Sequence, residues 1–278
     1  MAISVVRSAG IGSLAARTVL TWIRRDPRAA ELQRTNFHGR TVSLAGGPAL
    51  AAGATIGAAF GARTAALTAA AVTAGSVSGA VGFYDDLVGN RPEQKAAKGF
   101  AGHLGALREG RMTSGLVKIA GVGGAALAAS TLLAGDRPRR RGLGTADVLL
   151  GAGVIAGTAN LLNLLDLRPG RALKAGAVIG APLALGRRGG VAAGVLGAAG
   201  ALLRADLDEE VMLGDAGANA LGALLGLVLA ERTGPAGRAV ALAVLAGLTA
   251  ASEKVSFTKV IEDTPWLRRV DELGRRPA

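Results

Sequence analysis

Cysteine is absent, and the 278 residues hold two histidines, two tryptophans and one tyrosine. Without thiols there is no disulfide framework, no thiolate zinc site and no cysteine nucleophile. His38 and His103 lie far apart in the chain and do not make a His-rich metal site. Aromatics amount to 3%, too few for base-stacking platforms, and long apolar runs split the charges. Nucleic acid is therefore not expected as a partner, despite a net charge of +12 from 32 basic and 20 acidic residues. Such a basic balance points instead to an anionic membrane surface. Charged residues make up 19% of the chain, below the ~25% of an ordinary soluble domain.

What is abundant is small and apolar. Half the residues are hydrophobic, mean hydropathy is +0.39, and 43 are glycine. Residues 41–62 and 64–84 carry no charge, and each run is about the 20 residues that span a bilayer core as helix. Shorter apolar runs follow at 119–135, 148–165, 175–186, 189–203, 216–230 and 239–252. Snorkelling Arg and Lys, tilt or broken helices extend these to membrane length. Abundant Gly and Ala let helices pack closely in lipid. Many of the runs have no polar face, which argues against a soluble Ala/Gly-rich bundle. The expected fold is all-α: a single polytopic integral membrane domain over 1–278 with about nine transmembrane helices. The spans fall roughly at 3–23, 43–62, 64–84, 115–135, 147–166, 172–187, 189–204, 216–231 and 237–252. Residues 3–23 read as a first span rather than a cleaved leader, because no compact Leu-rich core precedes a cleavage site.

Lys and Arg concentrate in 24–40, 85–114, 167–174, 204–216 and the tail after 252, which places those segments on the cytoplasmic side. Every unusual polar cluster then falls on that inner face. Asp85 and Asp86 end the third span. Asn160, Asn163 and Asp166 end the fifth at i, i+3 and i+6, on neighbouring positions of one helical face. Asp215 opens the eighth span between glycines that permit close backbone approach. Adjacent carboxylates at the ends of apolar helices are costly unless they serve a site. Hard oxygen ligands favour Mg²⁺ or Mn²⁺, and Mg²⁺ usually bridges to substrate phosphates. Lys95, Lys98, Arg108 and Arg111 add positive charge in the same inner loop. Acidic ligands, cations and a membrane boundary together suggest a phosphorylated substrate with a lipid end. Asp206, Asp208, Glu209 and Glu210 read as a solvated acidic turn.

Four segments in this order carry a resemblance. They are Asn36-Phe-His-Gly-Arg-Thr-Val-Ser-Leu-Ala-Gly-Gly47, Gly82-Phe-Tyr-Asp-Asp-Leu87, Asn160-Leu-Leu-Asn-Leu-Leu-Asp166 and Leu213-Gly-Asp-Ala-Gly-Ala-Asn-Ala-Leu-Gly222. Over roughly residues 30–230 the chain resembles the polyprenyl-phosphate sugar-1-phosphate transferases. That family includes the N-acetylglucosamine-1-phosphate transferases and phospho-N-acetylmuramoyl-pentapeptide transferase. The resemblance implies a multi-pass enzyme of the cell (plasma) membrane with its active site facing the cytoplasm. Such an enzyme moves a sugar phosphate, an N-acetylhexosamine-1-phosphate, from a UDP-sugar to polyprenyl phosphate and releases UMP in cell-envelope polysaccharide or peptidoglycan-related synthesis. It implies Asp215 as the Mg²⁺ ligand, with Mn²⁺ as an alternative metal. Asp85, Asp86 and Asp166 would be catalytic. Asn160, Asn163, Lys95, Lys98, His103, Arg168 and Arg171 would bind substrate. A homodimer is compatible with the same reading.

The chain departs from the family pattern in three places. Gly89-Asn90 stands where a Lys commonly follows the Asp pair. Leu167-Arg168-Pro169-Gly170 replaces a Gly and second Asp after Asp166. No His follows His103, which disfavours the pentapeptide donor. These departures keep open a non-catalytic descendant that binds polyprenyl phosphate or cell-wall enzymes. A solute transporter would instead gather its polar residues near the bilayer midplane. In the tail, Thr264 and Pro265 open a surface helix. Trp266, Leu267, Val270 and Leu273 would form an apolar stripe, with Arg268, Arg269 and Arg275 at the headgroups. A helix packed on the protein's own inner loops is the competing reading of that tail.

Overall fold

The structure is a computed structural model, and it describes residues 2–89, 91, 102, 105, 106, 108, 110, 112–135 and 144–276. The expectations placed on Lys95, Lys98 and His103 lie outside the described residues.

Helices dominate, with α1 at Ala2–Arg25, α2 at Gly46–Gly61, α3 at Ala65–Val88, α4 at Ser114–Gly135 and α5 at Gly144–Leu165. They continue with α6 at Arg171–Ala184, α7 at Gly190–Leu207, α8 at Gly214–Arg232 and α9 at Pro235–Ser252. Two short tail helices close the chain, α10 at Phe257–Asp263 and α11 at Pro265–Glu272. Helix therefore occupies each of the apolar segments identified in the sequence. Among the described residues, six helices (α1, α3, α4, α5, α7 and α9) are long and apolar enough to cross a membrane. The bundle is all-α and membrane-like.

Helix α8 is the axis. Every residue from Ala216 to Val228 is buried, and the helix packs on α2, α3, α4, α5, α6 and α7. Small residues make this close approach possible, as lipid-embedded bundles generally require. A Cβ added at Gly82 of α3 would lie 2.3 Å from the carbonyl oxygen of Asp215, so only glycine lets the two helices touch there. By contrast α9 is largely uncovered on its outer side, exposing Val240, Val244 and Leu248.

At one end of the bundle the connections fold onto one another. A 3-10 turn at Pro27–Leu32 leads into a two-stranded antiparallel hairpin, β1 at Gln33–Thr35 and β2 at Thr41–Ser43. Strand β2 also docks on the α7–α8 connection. The Ser43 N–H donates to the Glu210 carbonyl at 3.2 Å, and the Met212 N–H donates to the Ser43 carbonyl at 2.9 Å. The connection between α1 and α2 thus braces the segment that leads into Asp215.

Candidate active site

Four helices bring their polar ends together at this end of the bundle. Asp85 comes from the last turn of α3, Lys118 from the second turn of α4, Asn163 from the last turn of α5 and Asp215 from the first turn of α8. The Lys118 ammonium donates to Asp85 Oδ2 at 2.7 Å and to Asp215 Oδ2. The Asn163 side-chain amide donates to the other oxygen of Asp215. All three members of the Asp85–Lys118–Asp215 group are largely but not completely covered. Charges held this way interact more strongly than in water, and the remaining exposure gives a small ligand access to them.

Asp86 sits beside this group and does different work. Its two carboxylate oxygens accept the backbone N–H groups of Asp215 at 2.9 Å and Ala216 at 3.0 Å. These are orphan donors in the first turn of α8, so Asp86 caps that helix from a neighbouring helix. Gly214 precedes them with φ +56°, a left-handed conformation that favours glycine, and a Cβ there would lie 2.7 Å from the Asp86 carboxylate. The Gly-Asp of the 213–222 segment is thus a backbone requirement as well as a chemical one.

Asp166 lies just beyond α5 and lines a neighbouring cleft of about 250 Å³ together with Asn36, Phe37, Arg168, Asp206 and Glu209. The Arg168 guanidinium stacks over the Phe37 ring at 4.2 Å from its centroid. This stacked pair stands at the cleft, so Arg168 keeps a position from which to meet a ligand.

Other expected residues take structural partners. The Asn160 amide donates to Thr249 of α9 at 3.0 Å and joins two helices instead of entering the carboxylate cluster. Arg171, expected at the substrate, is 4% exposed and pairs with Asp271 of the tail through two bonds of 2.8 and 2.9 Å. Its position at the start of α6, directly against α11, accounts for this. Arg275, expected at the headgroups, turns inward to Asp271 at 2.7 Å and to the Pro169 carbonyl at 2.9 Å. The acidic turn is not uniformly solvated, because Asp206 and Glu209 are 4% and 6% exposed. Asp206 accepts the Gly170 N–H at 2.6 Å and so pins the loop after Asp166. Glu209 receives the Asn36 amide, His38 Nδ1 at 3.0 Å and Arg40 at 2.9 Å. Burial alone would raise the Glu209 carboxyl, but bonds from Asn36 and His38 and the charges of His38 and Arg40 outweigh it and hold it below the ordinary range. Asn36-Phe-His-Gly-Arg is therefore the cage of a buried glutamate.

Lys118 is the member of this cluster that the sequence did not single out. Its signal was present: a lone Lys one turn into an apolar helix, four residues after Ser114, which hydrogen-bonds Asp85.

Among the described residues, no group of three or more His, Asp or Glu side chains is arranged as a metal cage. The donor set nevertheless suits a hard divalent ion. Two carboxylates from separate helices already converge on one cationic group, and Mg²⁺ is commonly held by one or two carboxylates with water and substrate phosphates filling the rest. No family model matches the chain, and no curated protein matches it. The fold and this cluster therefore define the class: an all-helical, membrane-type protein with a carboxylate–lysine–amide centre at one end of its helices.

Proposed function

We propose that the protein is a membrane sugar-1-phosphate transferase that joins a UDP-linked N-acetylated sugar to polyprenyl phosphate. The observation that carries this reading is the convergence of Asp85, Lys118, Asn163 and Asp215, residues remote in sequence, at one end of a bundle with membrane-length helices. In the proposed reaction an oxygen of the lipid phosphate attacks the sugar-bearing phosphorus of the UDP-sugar. A new P–O bond forms, the bond to UMP breaks, and UMP leaves. Asp85 and Asp215 would hold Mg²⁺, which when bound offsets charge on the pyrophosphate. Lys118 keeps positive charge at the same point, where negative charge develops. Asp86 fixes the start of α8 and so aims Asp215. The cleft beside Asp166, with its Phe37–Arg168 stack, receives the nucleotide side. The nine-span topology, the cytoplasmic orientation and the plasma-membrane location belong to this same reading.

The test is purified protein with polyprenyl phosphate, Mg²⁺ and a panel of UDP-sugars, followed by UMP release. Turnover with one donor, abolished by Asp215→Asn while membrane insertion persists, is expected. No turnover with any donor, where a known transferase works alongside, overturns the reading. One observation favours the non-catalytic alternative: Lys118 already stands between the two carboxylates and offsets one of their two charges. That alternative predicts polyprenyl-phosphate binding without metal and tolerance of Asp215→Asn in cells.

A further inference from the structure

We propose that α11 is a surface anchor that lays Trp266, Val270 and Leu273 into the headgroup region of an anionic bilayer leaflet, at the end of the bundle where the site lies. The inference rests on the membrane reading of the long helices and does not depend on the transferase chemistry.

The three residues recur at i, i+4 and i+7, so they share one stripe of the helix and its last turn. They are 64%, 51% and 71% exposed, an unusual state for such large apolar groups in line. The stripe is not left outside by a poorly attached tail. On another face of the same helix Asp271 is 7% exposed, held by Arg171 and Arg275. The Lys174 ammonium donates to the carbonyls of Val270 at 3.1 Å and Asp271 at 2.6 Å. The Arg276 N–H donates to the Leu207 carbonyl at 3.2 Å at the end of α7. The polar side of the helix is thus locked to the protein while the apolar stripe is turned away from it.

Two features identify a lipid surface as the occupant. The first is continuity. The exposed Val240, Val244 and Leu248 of α9 run toward the tail, and exposed Val255 and Val260 follow before Trp266. Along the chain, the uncovered apolar residues of a membrane-length helix are thus followed by those of the stripe. The second is charge. Arg269 is the exposed charge that borders the stripe, Glu272 and then Arg268 follow around the helix, and on the approach exposed Lys254 and Lys259 alternate with exposed Glu253, Glu262 and Asp263. An amphipathic helix with Trp and aliphatic residues on one face and Arg beside them suits the interface of an anionic leaflet. The latch also ties this anchor to the loop that holds Arg168 and Pro169 at the cleft, through the Arg275 bond to the Pro169 carbonyl.

The experiment uses the full chain carrying Trp22→Phe, which leaves Trp266 as the sole tryptophan. It is reconstituted into vesicles of zwitterionic lipid with or without phosphatidylglycerol. Emission from Trp266 is expected to be quenched by lipids brominated near the headgroup end of the acyl chain and shielded from aqueous acrylamide, more strongly in the anionic vesicles. Arg268→Glu with Arg269→Glu should weaken both effects. Unprotected emission with no lipid quenching overturns the proposal. So does shielding that depends on the protein-to-lipid ratio, which would identify a second copy as the cover. Equal behaviour in zwitterionic and anionic vesicles overturns the anionic preference. Hydrogen exchange of 265–272 in the unsubstituted chain supplies the same readout, with slower exchange expected when anionic lipid is present.

Discussion

The Asp86 carboxylate receives the backbone N–H of Asp215, so one acidic residue orients the other through the main chain and not through a shared ligand. This relationship separates two roles that a pair of adjacent aspartates would otherwise confuse. Asp86→Asn keeps one of the two acceptor oxygens and sets an NH2 group against the other N–H, so it should weaken the cap only in part and lose less of the proposed UMP-releasing activity than Asp86→Ala. Asp86→Ala should lose about 1 kcal/mol of stability and, by displacing Asp215, about 10²-fold in rate. Thermal unfolding in detergent and initial rates check both. Equal inactivation by Asn and Ala would show instead that the Asp86 carboxylate itself takes part in chemistry.

Lys118→Met leaves Asp85 and Asp215 facing each other without their common cation. Removing one partner of a buried ion pair typically costs 3–5 kcal/mol, and the residual exposure here puts the expected loss at about 3 kcal/mol. Millimolar Mg²⁺ should recover part of the lost thermal stability in this variant, because a ligand that binds the folded state stabilises it by mass action. Denaturation scans with and without Mg²⁺ measure this without any substrate. An absence of recovery would remove the carboxylate pair from the metal role.

Gly82→Ala should destabilise by about 1–3 kcal/mol through overpacking against the start of α8, with UMP release falling alongside. The control is Gly123→Ala in α4, where an added Cβ meets nothing within 4 Å. That variant should be neutral or slightly stabilised.

The helical segments were legible because long apolar runs with few charges leave few alternatives to helix, although only six of the resulting helices have membrane length among the described residues. Aspartates at the ends of those runs were legible for the same reason: an ionisable group there is costly unless it serves a purpose. Partner choice was not legible. Asn160 and Asn163 occupy neighbouring positions of one helical face, yet one meets Thr249 and the other Asp215, because different helices pack on adjacent parts of that face. Arg171 looked like a phosphate ligand because its partner, Asp271, lies 100 residues further along the chain. Lys118 escaped notice because it stands alone before an apolar run, and only the fold places two carboxylates on either side of it.

Docking of the β1–β2 hairpin should depend on pH through Glu209. Its folded carboxyl titrates below the ordinary value of 4.5, so its contribution is fully present above that pH and is lost as pH falls through the lower folded value. Amide protection over 33–43, after correction for the intrinsic exchange rate, should therefore fall below about pH 4.5. Glu209→Gln should flatten that dependence.

Arg171→Met should release the tail. The Asp271 carboxyl is held below its usual range, since the Arg171 bonds and the charges of Arg171 and Arg275 overcome its burial. Without Arg171 the latch keeps Arg275 and Lys174 alone. Proteolysis at Glu262 and Glu272 should then quicken while the long helices stay protected, as gel or mass readout would show.

Because α8 is buried from Ala216 to Val228 among six other helices, its half-buried first turn is carried by the most enclosed element of the bundle. The centre is in effect bolted to the hub of the bundle. Around this hub the hairpin that cages Glu209 and the loop clasped by the tail are held by side-chain bonds, which a change of charge can release one at a time.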